Sequence, residues 1–370
     1  MRTLLALLLP VALAFAGEDE AFANDLFARL AAKEGNVVCS PLSVRVALAM
    51  AYGGARGTTK GEMAKALRLG QGPPASLAAL VQDYDGKERG KVAMPALADA
   101  AWVGEGATLL PAYVELVKTY GAPFETLDFG KPEAAAGRIN GWVSDRTHER
   151  IQEIVSPEML NANTTLVLTN ALHFKACWAH RFRARITRDQ PFTLASGEKV
   201  HVPLMAQTSG FPYAEKGGVR AVELPYEGGR FSMVVILGDD GVPAAIPDGL
   251  LDALAPEEVT VFLPRFTFES AFRLDKTLGE MGMPTAFTPK ADFSGIDGGR
   301  DLYISVVAHK AFVAVDEDGT EAAAATAVAL ELKGEPGEAK VFRADRPFLF
   351  LIRDRETKAT LFLGRLSDPR

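Results

Sequence analysis

The chain has 370 residues, a net charge of −7 and an isoelectric point near 5.5. With 48% hydrophobic and 24% charged residues it has the material for a substantial core and not the composition of a disordered chain. The acidic balance argues against a nucleic-acid-binding surface.

Met1-Arg2-Thr3 precedes an apolar run from Leu4 to Phe15, and Ala14-Phe15-Ala16 precedes Gly17-Glu18-Asp19-Glu20. One positive charge, a short apolar run and an Ala-x-Ala site predict a signal peptide over residues 1–16, cut after Ala16. Residues 17–370 are then one exported domain, secreted or periplasmic. The run is too short to span a bilayer well, and no second long apolar segment follows. Phe22, Leu26 and Leu30 recur at helical spacing and predict a helix over residues 20–32.

In Asn36-Val37-Val38-Cys39-Ser40-Pro41-Leu42-Ser43, Ser40 reads as a helix cap with Pro41 in the first turn. That helix runs to about residue 52 and stops at Gly53-Gly54. Its only charge is Arg45, so most of its circumference is expected to be buried. Thr59 and Glu62 have the spacing of a capping box for a further helix. Residues 96–103 read as a strand and 111–120 as a helix. Over 133–154, Ile139, Trp142 and Val143 share one face, which predicts an amphipathic helix lying on a flat surface.

Thr165 to Lys175 is apolar on both faces, the pattern of a strand in the middle of a covered sheet. Asn170 and His173 inside it need partners, because a buried polar group is costly alone. Further strands are predicted over 220–225, 231–237, 259–264 and 306–316. A closing hairpin of 348–352 and 360–363 turns across Asp354-Arg355-Glu356-Thr357. Helices come first and strands later, with no βαβ rhythm, so the fold class is α+β with large sheets in a single domain. The five histidines show no metal-ligand spacing, and neither His-Glu-x-x-His, Cys-x-x-Cys nor Gly-x-Ser-x-Gly occurs.

The stretch from Glu317 to Gly334 is ambiguous. Positions 320, 322, 324, 326, 328 and 330 are Thr, Ala, Ala, Thr, Val and Leu, all small or apolar, and the charges Glu321 and Glu331 fall on the other face. That is a half-buried strand by period, yet Ala is the best helix former. Gly319 reads as a hinge tolerant of unusual dihedrals, and Lys333 to Glu338 is polar and turn-rich. A segment compatible with loop, helix and strand, with strand-like sequence on both sides, is able to change state.

The run Glu317-Asp318-Gly319-Thr320-Glu321-Ala322-Ala323-Ala324-Ala325-Thr326 resembles the reactive-centre loop hinge of inhibitory serpins, the serine protease inhibitor family. The likeness covers residue 20 to the end. Asn36 to Ser43 is similar to the family's shutter, and Asn170 to Trp178 to its central strand motif. Val307-Ala308-His309-Lys310 is similar to the strand before the loop. Phe342-Arg343-Ala344-Asp345-Arg346-Pro347-Phe348-Leu349-Phe350 resembles the family signature, and Leu361 to Arg365 the closing strand. The segment 334–342 looks a few residues longer than usual, and 238–257 is lightly built.

The resemblance implies the serpin fold, with three β-sheets, eight or nine helices and an exposed reactive-centre loop at about 317–340, in an exported prokaryotic-like member. It implies a protease inhibitor rather than an enzyme, with no cofactor and no metal. Ser40, Ser43, Asn170 and His309 would form the buried polar shutter, and Trp178 would stand where the loop enters the sheet. Arg265 would pair with Glu317. The hinge would comprise Glu317, Gly319, Thr320, Ala322, Ala324 and Thr326. Thr320 would be exposed before insertion and point inward after it, with Glu321 facing outward. Counting from Gly319 places the reactive bond at Lys333–Gly334, with Leu332 and Leu330 as alternatives. Lys333 suits a trypsin-like serine protease, trapped as a covalent complex. The alternatives are a non-inhibitory serpin-fold binding protein, or an inhibitor of a cysteine or chymotrypsin/elastase-like protease. A native monomer able to polymerise on heating is implied, and Cys39 and Cys177 fall on different parts of the fold as free thiols.

Overall fold

Ser40 and Pro41 start the helix on which the sheets rest. In the computed structural model, which describes residues 5–69, 75–84, 86–90, 92–321 and 339–370, the Ser40 side chain accepts a hydrogen bond from the Ser43 backbone N–H at 3.2 Å. The helix Pro41–Gly54 that follows is buried almost all round, and its one charge, Arg45, is paired inside with Asp19 at 2.9 Å. The neighbouring helix Gly57–Ala66 is not started by a capping box. Its first turn is uncapped by side chains, the Thr59 hydroxyl accepts from Asp292 N–H, and Glu62 binds Thr285. Long-range partners outcompete the local reciprocal bonds.

A seven-stranded sheet lies against the helix Pro41–Gly54. Its order is Phe124–Leu127, Ala96–Gly104, Leu166–His173, Ile304–Val315, Gly319–Thr320 and Ala176–Cys177, with Phe266–Arg273 also paired to Ile304–Val315. Its other face carries the helix Pro132–Arg146, where Ala98, Ala100, Trp102, Val167 and Val306 meet Ile139 and Val143. This amphipathic helix stops sooner than its periodicity predicts, because His148 and Glu149 take left-handed φ values of 50° and 62°.

A nine-stranded sheet runs from Val37–Cys39 through the closing hairpin Phe348–Asp354 and Thr360–Leu366 to Lys340–Arg343. A two-stranded ribbon is the third sheet. Among the described residues there are eight α-helices and three sheets. The strand Lys199–Lys216, one of the longest elements, is absent from the sequence expectations; it holds Pro203, Gly210 and Pro212, residue types that weaken a strand pattern. Cys39 and Cys177 are free thiols. No described helix is long and apolar enough to cross a membrane.

Candidate functional site

Ile304–Val315 has two different partners along its length. From Ile304 to Ala311 it pairs in parallel with Leu166 to Leu172 of the central strand. Higher up, Val315 pairs antiparallel with Thr320, and Gly319–Thr320 pairs antiparallel with Ala176–Cys177. Two residues are thus wedged as a short strand into the mouth of the sheet. The chain reverses to reach this seat through a turn closed by Asp316, whose Oδ1 accepts from the N–H groups of Asp318 and Gly319 at 2.9 and 3.1 Å. Gly319 is needed here for space. It is not among the residues with positive φ, but a Cβ at this position would lie 2.0 Å from the Ala176 carbonyl oxygen. The dihedral reason expected from sequence gives way to a close backbone approach.

Thr320, expected to be exposed, is only 2% exposed. Its hydroxyl lies 2.6 Å from the Tyr226 hydroxyl, whose ring stacks on Trp178 at 4.6 Å and 9°. Trp178 donates its backbone N–H to Asp318 O at 2.8 Å and its indole N–H to Asp316 O at 2.9 Å. Phe182 N–H reaches Glu317 O at 3.0 Å. Gly319 and Thr320 are buried because they already form a strand, with partner strands on both sides.

Charges clamp this seat. Glu317 accepts from Arg265 and, at 2.6 Å, from the Thr187 hydroxyl. Burial opposes its charge, but these bonds outweigh it and hold the carboxyl below the usual range. Asp318 pairs with Arg181 at 3.3 Å. Glu321 has a left-handed φ of 51°, and its carboxylate lies 2.8 Å from His173 Nε2 and 3.5 Å from Arg150. Its side chain, expected to face outward, is 3% exposed rather than free. The cover comes from His148, packed edge-on to His173 at 5.0 Å, and from Arg150.

Below the wedge, the structure brings Ser40, Ser43, Asn170 and His309 together. His309 Nε2 accepts from the Ser40 backbone N–H at 3.0 Å, and its Nδ1 faces Asn170 O at 3.1 Å. Asn170 donates to Ala308 O at 3.2 Å. Burial pushes the His309 imidazole down to about 4, so it is neutral and its Nδ1 is the donor. The Ser43 hydroxyl donates to Asp99 at 2.6 Å, and burial pushes that carboxyl well above the usual range. Asp99 stands opposite Asn170 on the neighbouring strand.

Ala322, Ala324, Thr326, Leu330, Leu332, Lys333 and Gly334 lie outside the described residues. Sequence reasoning missed Asp99, Tyr226, Arg181, Thr187 and the anchoring of Glu321. Asp99 had a signal, as the one carboxylate inside an apolar strand pattern. Among the described residues no cluster of His, Cys, Asp or Glu is fit to hold a metal ion.

Comparison with known proteins agrees with this architecture. The family described as serpin (serine protease inhibitor) matches residues 18–369. An uncharacterized serpin-like protein of Thermococcus kodakarensis is 42% identical over 94% of this chain and 84% of its own length. The leukocyte elastase inhibitor of Homo sapiens is 37% identical, over 94% of this chain and 97% of its own. The crystal structure of human thyroxine-binding globulin superposes with a TM-score of 0.86 at 27% identity, covering 96% of this chain and 98% of that one. Gly319–Thr320 seated as a strand at the mouth of the sheet, and a family match that runs from residue 18 to 369, place this chain in the serpin family of serine protease inhibitors.

Proposed function

We propose that this chain is a suicide inhibitor of trypsin-like serine proteases, acting outside the cytoplasm after removal of residues 1–16. The protease serine attacks the Lys333 carbonyl carbon. The Lys333–Gly334 bond breaks, the Gly334 amine leaves with a proton, and an ester joins Lys333 to the protease. The freed segment then extends the strand that Gly319–Thr320 has begun. Fourteen residues from 320 to 333 at ~3.3 Å each span about 46 Å. That travel carries the tethered protease along the sheet and distorts its active site before the ester is hydrolysed.

The observation that carries this reading is the seat of Gly319–Thr320. The space between Ala176–Cys177 and Val315 already accepts loop residues as a strand, antiparallel to the one they follow. Ala322, Ala324 and Thr326, the next inward positions, are small enough to pass between strands. The test is incubation with a panel of serine proteases followed by denaturing electrophoresis. An SDS-stable complex with trypsin, with the cut mapped to Lys333–Gly334, is expected. Lys333→Glu should abolish it. Clean cleavage by every protease with no complex would sink the inhibitory reading and leave a binding protein on the same fold.

A further inference from the structure

Residues 175–188, Lys-Ala-Cys-Trp-Ala-His-Arg-Phe-Arg-Ala-Arg-Ile-Thr-Arg, contain five cationic residues and no carboxylate in a chain of net charge −7. Arg181 is engaged with Asp318 and Glu227. Arg183 and Arg185 are exposed and make no ion pair among the described residues. Between them and Arg188 the chain makes a single short turn, Ala184–Ile186, and Arg188 folds back on it through bonds to the carbonyls of Arg185 and Thr187 at 2.6 and 2.8 Å. Ile186, inside this turn, is 41% exposed. Unpaired guanidinium groups around an exposed aliphatic side chain have the make-up of a recognition surface rather than of a solvated loop.

Its position says what it would recognise. Before the turn, Phe182 is bonded to Glu317 O, and after it Thr187 is bonded to the Glu317 carboxylate. Glu317 belongs to the stem that leads into residues 322–338. Arg188–Thr193 continues the turn, and there Gln190 accepts from Arg343 and Thr193 N–H reaches Asp345 O at 2.8 Å. Arg343 and Asp345 belong to the stem by which the chain returns. Both stems are therefore fastened to residues 182–193. Arg183 and Arg185 are part of the stretch to which both stems are anchored.

We propose that Arg183 and Arg185, with Ile186 between them, form an exosite for an acidic surface on the protease that cleaves the loop. This rests on the inhibitory reading for the identity of the partner, and on the two anchored stems for its place. Opposite charge at such a site acts chiefly on encounter, raising association rates about 10-fold or more at low salt.

The experiment compares anionic with cationic trypsin, which share cleavage specificity and differ in surface charge. The readout is the rate at which intact chain is lost through cleavage at Lys333, counting covalent complex and cleaved product together. The wild type should react about 10-fold faster with anionic trypsin at low salt, and high salt should erase the difference. Arg183→Glu/Arg185→Glu should reverse the preference, and Arg183→Gln/Arg185→Gln should remove it, with unchanged melting temperatures because both residues are exposed. Equal rates and salt slopes for wild type and variants would overturn the exosite. So would variants that keep their rates with both trypsins but lose retention on a heparin column, which would assign the patch to a polyanion. Complex yield reports separately on the inhibitory reading. If all product is cleaved chain, inhibition fails while the rate comparison still decides the exosite.

Discussion

The two halves of the strand Ile304–Val315 are held by different physics. The lower half is a parallel ladder over Ile304–Ala311, irregular between Ile304 and Val306, backed by neutral polar groups around His309 and Asn170. The upper half is a two-residue wedge whose flanks are charged, through Glu317 with Arg265, Asp318 with Arg181, and Glu321 with Arg150. A closed ladder parts only if neighbouring bonds break together. A wedge secured at its rim by ion pairs, each with one partner still partly open to solvent, is exchanged locally, and such pairs contribute little beside a ladder. The sheet is thus stiff below and adjustable where a new strand enters.

The severest test of this contrast is to let the wedge run down into the ladder. Cleavage of the loop by any protease should do so. Six further inward positions, 322 to 332, would be buried. At roughly 1 kcal/mol each, with added ladder bonds, the gain is about 5–10 kcal/mol. Melting should rise by about 10 °C or more. A cleaved chain that melts with the intact one would mean that the lower ladder does not open.

Next in size is Thr320→Arg. Thr320 is already inside, against Tyr226, so the variant must bury an unpaired charge at a cost of several kcal/mol or give up the seat. We expect it to give up the seat, freeing Trp178 from Asp316 and Asp318 and changing its fluorescence. Trypsin should then cut the variant as a substrate, with little covalent complex. Normal complex yield with an unchanged Trp178 signal would show that this position does not govern entry.

The lower half is tested by pH. His309 is neutral in the fold at about 4, against 6.5 when free, so the unfolded chain takes up more protons as pH falls between those values. Stability is whole above 6.5 and declines through this window by up to about 3 kcal/mol. Asp99 has the opposite sign. Its raised carboxyl keeps stability whole below 3.8 and loses it as pH rises. Denaturant titrations of His309→Gln and Asp99→Asn should flatten one slope each. A single variant that flattens both would mean that the two groups titrate as one.

How legible these features are in the sequence follows the range of the interactions that make them. The start at Ser40-Pro41 and the covered strand around Leu168 depend on neighbours in the chain, and both stand out. The helix end near Arg146 does not, because it is set by left-handed residues that periodicity cannot register. The alternation through Thr320 and Ala322 indicates a strand without saying when it forms. Burial of Thr320 depends on Ala176 and Tyr226, 144 and 94 residues away in sequence, and no local pattern encodes that. Trp178 and His309 follow from family likeness, whereas the anchoring of Glu321 acquires meaning only from what the fold puts beside it.

The finest distinction lies between Thr320 and its neighbour. Glu321 is the last described residue of the hinge, held by His173 and Arg150 while its backbone is left-handed. On the insertion mechanism it must become extended, so these contacts and this dihedral exist only before the loop moves. Glu321→Gln keeps the shape and removes the charge, weakening the latch by about 1 kcal/mol or less because Arg150 is half exposed. A latch that must break opposes insertion, so its loss should favour insertion over hydrolysis of the ester. The variant should form as much covalent complex as the wild type or slightly more, with less cleaved by-product per mole of trypsin. Two adjacent substitutions would then act in opposite directions, Thr320→Arg against entry and Glu321→Gln in its favour. A lower complex yield for Glu321→Gln would show that the pair with His173 helps seat the strand rather than restrain it, and the rim charges would belong to the inserting state.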